Sequence, residues 1–108
     1  MTGSIIDRLS YDKLPEQFRG MAERYLRKGI PPGHFLEAVI KNDLLESLNR
    51  ADKEAKANLH GIVLWFYWEA PGGSWGNKKA FDAMIAGKGY EGMKANQALR
   101  KAGDEARR

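Results

Sequence analysis

Three features predict an all-α fold. Apolar residues recur at helical spacing through most of the chain. Gly and Pro clusters at 29–33, 71–73 and 87–89 cut it into short segments. Helix-capping residues stand just ahead of several segments, at Asp43, Asp52 and Asn77. The expected architecture is a compact single-domain bundle of about five short helices over residues 14–89. Residues 1–13 are expected to be loosely ordered, and 90–108 to form a basic tail, helical or frayed.

The chain has 108 residues, enough to bury a core without disulfides or metals. Its 43% hydrophobic and 30% charged residues are a globular balance rather than a disordered one. There is no cysteine, which excludes disulfides, thiolate metal sites and a cysteine nucleophile. That usage fits a reducing cytoplasm.

Within residues 1–13, Ile5 and Ile6 are the docking points. A first helix follows over 15–28. Pro15 suits its first turn, and Leu14, Phe18, Met21, Ala22 and Tyr25 form one stripe. Arg24, Arg27 and Lys28 complement its C-terminal dipole, and Gly29 stops it. After the Gly29-Ile30-Pro31-Pro32-Gly33 turn, Phe35, Leu36, Val39 and Ile40 mark a second helix over 34–41. Asp43 followed by Glu46 has capping-box spacing and opens a third helix, carrying Leu44, Leu45 and Leu48 to Arg50.

Asp52 and Glu54 open a fourth helix over 53–69. Ala55, Leu59, Ile62, Val63, Phe66 and Ala70 share one face, while Gly61, Leu64, Trp65 and Trp68 fall on another. The second half is apolar nearly all round, so this helix is expected at the centre of the bundle or presenting a sticky face. A strand over 62–68 is the rival, because the run is rich in strand formers. The cap and helix formers just before it favour a helix. Pro71-Gly72-Gly73 ends that helix and leaves Trp75 in a glycine-flanked loop. Asn77 caps a fifth helix over 78–86, with Ala80, Phe81, Met84 and Ile85 inward. The tail carries a thin stripe of Ala95, Ala98, Leu99, Ala102 and Ala106, able to dock, pair with another chain or fray.

The longest apolar run, 62–68, is far too short to span a bilayer. The first ten residues lack the apolar stretch of a secretory signal, so the expected location is the cytoplasm. Net charge is +4. Residues 1–70 sum to zero, and 71–108 carry the whole excess. The cations there are Lys78, Lys79, Lys88, Lys94, Arg100, Lys101, Arg107 and Arg108. With nearby rings they form a candidate phosphate-contacting groove; the plainer reading is a solvated face.

No arrangement of residues points to a reaction. His34 and Glu37 lie one helical turn apart but lack further ligands at a telling spacing, so no metal is expected. His60 falls at the edge of the fourth helix's apolar face. Ser10-Tyr11-Asp12-Lys13 matches S-x-x-K in letters only. Gly87-Lys88-Gly89 lacks the spacing and hydroxyl of a phosphate loop. The second and third helices imitate a helix-turn-helix, yet LLESLNR is too poor in basic and polar groups to read a groove. No cofactor is expected, and the expectation is a protein that is not an enzyme.

One pattern resembles a known group. It runs Gly29-Ile30-Pro31-Pro32-Gly33, Phe35-Leu36, Ala38-Val39, Asn42-Asp43-Leu44 and Arg50-Ala51-Asp52. Tyr67, Ala70-Pro71 and Ser74-Trp75-Gly76 follow. Over residues 12–86 this resembles short uncharacterised proteins of phage and prophage genomes. The resemblance implies no activity. It implies a setting in which small proteins grip a host or phage protein, including components of host defence such as CRISPR complexes.

The leading expectation is therefore a non-enzymatic, phage-type accessory protein that binds and modulates a protein partner. Its contact surface is assigned to Trp65, Trp68, Trp75, Lys78 and Lys79, because tryptophan concentrates at interface hot spots. The alternative is a nucleic-acid-binding module using Lys88, Lys94, Arg100, Lys101, Arg107 and Arg108. A third reading is a homodimer through the second face of the fourth helix.

Overall fold

The computed structural model describes residues 5–106, with side chains through residue 103. Among them every regular element is a helix, in one domain. A 3-10 turn, η1, covers Ile5–Arg8. The α-helices are α1 (Glu16–Lys28), α2 (His34–Ile40), α3 (Leu44–Arg50), α4 (Lys53–Trp68), α5 (Lys78–Ala86) and α6 (Tyr90–Ala106). The strand alternative for 62–68 is excluded.

The helix ends follow local chemistry. Gly29 closes α1 at φ 65°, a left-handed conformation that costs glycine little, and its N–H donates to the Tyr25 carbonyl. Asp52 and Asn77 accept the Ala55 and Ala80 N–H groups, each at 2.7 Å. The capping box at α3 is half made. Asp43 Oδ1 accepts the Glu46 N–H, but the Glu46 carboxylate turns to Arg50. The Asp43 N–H is already satisfied by the Ala38 carbonyl, so no return bond is required.

The core is built around α1, which runs close to η1, α5 and α6. Phe18, Ala22, Tyr25 and Leu26 of α1 meet Phe35, Leu36, Val39 and Ile40 of α2, with Phe81 and Met84 of α5. The fourth helix is not the centre of the bundle. It makes no comparably close backbone approach, because large rings separate it from its neighbours: Trp65 stacks on Tyr11, and Phe66 lies tilted against Trp75.

The N-terminal segment is part of the fold from Ile5 onward. Ile6 is sealed in the core, whereas Ile5 is exposed. The chain from Leu9 to Leu14 then crosses α4. Ser10 accepts the Trp65 indole N–H at 2.7 Å, and its own N–H reaches Glu69. Gln17 pairs with Glu54 from the same side.

Over Tyr90–Ala106 the basic tail is one continuous helix. It docks through Met93, with Tyr90 partly buried, while Ala95, Ala98, Leu99 and Ala102 of the alanine stripe are exposed. Every residue from 94 to 103 is exposed, Leu99 to 71%, so α6 leaves the body after its first turn. At the α5–α6 corner a methyl on Gly92 would collide with the Gly87 carbonyl, so only glycine permits this approach.

Candidate interaction surfaces

The four consecutive rings of α4 split between core and solvent. Trp65 is 3% exposed and Phe66 fully buried, while Tyr67 is 63% and Trp68 73% exposed. The sequence pattern puts Val63 inward and Trp65 outward. The structure turns the buried arc towards Trp65, which gains the Ser10 carbonyl and the Tyr11 ring, and leaves Val63 at the solvent edge. Trp65 therefore belongs to the core rather than to a contact surface.

Trp75 also turns inward. It is half-buried, 5.9 Å from Phe66 between ring centroids. The loop holding it is fastened at both sides. The Tyr25 hydroxyl donates to the Ser74 carbonyl at 2.7 Å, and the Gly76 N–H donates to Ile40 at 2.7 Å. Ser74 is completely buried and turns its hydroxyl to the Pro71 carbonyl. Burial, with the Asp82 charge second, holds the Tyr25 phenol well above its ordinary range. Burial likewise lifts Tyr11 to about 12, helped by the charge of Glu23.

Of the three indoles, Trp68 is the one that stands in solvent. Its ring meets Tyr67 edge to face at 4.9 Å. Leu64 lies one turn before Trp68 and is also exposed. Together they form an apolar strip along the C-terminal half of α4. A second apolar surface, unassigned in the sequence analysis, lies on α3. Leu44 and Leu45 are 67% and 70% exposed, and Leu48 is exposed as well. Only Ser47 of that helix is buried, its hydroxyl bonded to the Asp43 carbonyl. The signal was present in the register: with Asp43 as cap, the three leucines share one arc and Ser47 lies off it.

Lys78 and Lys79 sit on α5, away from the α4 rings in sequence and element. They line a groove of about 680 Å³ between α5 and α6, which Arg100 enters from the other wall. Lys78 is engaged by Asp82 at 2.6 Å, a bond that raises its own pKa. Lys88, Lys94 and Lys101 are exposed. Lys94 and Lys101, two turns apart on α6, share a face. Arg107 and Arg108 lie outside the described residues.

The remaining candidates have plain surroundings. His34 and His60 are exposed, and Glu37 pairs with Lys41 at 2.6 Å. Ser10 uses its backbone to hold Trp65 and Glu69, and Lys13 is exposed. Among the described residues no helix is long and apolar enough to cross a membrane. Comparison with family models, curated proteins and solved structures finds no match to this chain.

Proposed function

We propose that the chain is a non-enzymatic protein-binding module of the phage-accessory kind, gripping a host or phage protein through the exposed end of α4. The observation that carries this reading is the Tyr67–Trp68 pair, two large rings left in water in a protein whose other indoles are packed. Ring pairs of this kind make effective anchors. They bring large apolar area and lose little rotamer freedom when a partner's pocket closes on them. Leu64 extends the anchor along the helix, and the exposed leucines of α3 offer a second apolar contact. The partner's setting, host defence included, comes from the resemblance of residues 12–86 to phage and prophage proteins.

The test compares the wild-type chain with Trp68→Ser as baits in host lysate, with melting temperatures measured in parallel. A partner held by the wild type and lost by Trp68→Ser, at equal melting temperature, supports the reading. Equal capture by both removes α4 as the contact surface.

A further inference from the structure

The groove between α5 and α6 has the shape and charge of a second, separate recognition site. Close packing of Gly87 against Gly92 joins the two helices at one end, and beyond that corner they part around unfilled space. Each wall presents one helical face at i, i+3/i+4, i+7 spacing. On α5 these positions are Lys79, Ala83 and Ala86; on α6 they are Met93, Gln97 and Arg100. The inner part has a short α5 wall: Ala83 and Ala86 leave room for another backbone, the buried Met93 closes the floor beneath them, and Asn96 stands beside it on the α6 wall. The outer part is cationic. Lys78 is neutralised by Asp82, whereas Lys79 and Arg100 have no ion-pair partner among the described residues.

We propose that this groove docks an acidic amphipathic helix of a partner protein. A third helix laid between α5 and α6 would set its apolar side chains against the short wall of Ala83 and Ala86. Its flanking carboxylates would meet Lys79 and Arg100, while Gln97 satisfies polar groups between the two zones. A nucleic-acid strand is the poorer fit. No aromatic ring lines the groove to stack a base, and Ala83 and Ala86 gain nothing from phosphates. The proposal does not depend on the α4 surface, and the two fail separately.

The probe is a designed helical peptide of about four turns, with leucine at i, i+3 and i+7 and glutamate on both flanks. Its binding to the full chain is read by fluorescence anisotropy. Lys79→Glu/Arg100→Glu should weaken the Kd about tenfold or more, at unchanged melting temperature. A peptide with lysine in place of glutamate should prefer the charge-reversed variant. Trp68→Ser should bind the acidic peptide as the wild type does. The proposal is overturned if the acidic peptide does not bind, if charge reversal leaves its Kd unchanged, or if Trp68→Ser abolishes binding. An oligothymidylate that displaces the peptide, with an affinity falling steeply with salt, would assign the groove to nucleic acid instead.

Discussion

Trp65 and Phe66 on one side of α4, and Tyr67 and Trp68 on the other, are neighbours in sequence with opposite roles. The first pair is gripped from outside the helix: Trp65 by Ser10 and Tyr11, Phe66 by Trp75. The second pair touches mainly itself. Residue type does not separate them, since each pair combines an indole with a phenyl or phenol. What separates them is which arc of α4 the distant N-terminal segment and the glycine-rich loop cover. Substitutions in the two pairs should therefore report on different properties, stability for the first and partner capture for the second.

The largest effect is expected for Phe66→Ala, which should cost about 3–5 kcal/mol by chemical denaturation, the range for emptying a buried aromatic site. A loss below about 1 kcal/mol would erase the contrast between the two sides. Next is Tyr25→Phe, which strips the Ser74 carbonyl of its donor and loosens the Trp75 loop, at about 1–3 kcal/mol.

Alkali tests two packed phenols without mutation, Tyr11 against Trp65 and Tyr25 against Phe81. Tyr11 and Tyr25 have raised pKa values in the fold, so the unfolded chain ionises first. Their contribution to stability is complete below about pH 10 and is lost as pH climbs towards 12 for Tyr11 and beyond for Tyr25. Melting temperature against pH, with phenolate absorbance followed in parallel, should show ionisation and unfolding together. Early titration of both phenols in the intact fold would contradict their burial.

Asp52→Ala should cost about 1 kcal/mol, through the lost bond to the Ala55 N–H. The smallest change is expected for Trp68→Ser, within about 0.5 kcal/mol in stability. A substantial loss there would mean that Trp68 supports the fold and is no free anchor.

The helix boundaries were legible because their determinants are local. Gly29 takes the left-handed conformation its type permits, and Asp52 and Asn77 bond N–H groups three residues on. The orientation of α4 was not legible, because its partner Ser10 lies 55 positions away. An arc drawn through Ile62, Val63 and Phe66 is as apolar as one drawn through Ile62, Trp65 and Phe66, and only the N-terminal segment decides between them. That segment was legible in part: of its two expected docking residues, Ile6 lies sealed in the core and Ile5 is exposed. The same limit applies at α6. Its alanine stripe left docking, pairing and fraying open, and the contact is made by Met93, next to the glycine corner. Of the candidate site residues, Trp68 was named from the excess of rings in the sequence, but which of the three indoles faces solvent required the fold. The pairing of Lys79 with Arg100 across a groove required the fold.

The Gly87–Gly92 contact fixes more than one corner. It sits at the apex from which α5 and α6 diverge, so a methyl there would act as a wedge in a hinge. A small displacement at the apex grows along the length of both arms. The aperture facing an incoming ligand thus depends on two missing side chains, and alanine at either position would force the corner apart without altering any side chain of the opening itself.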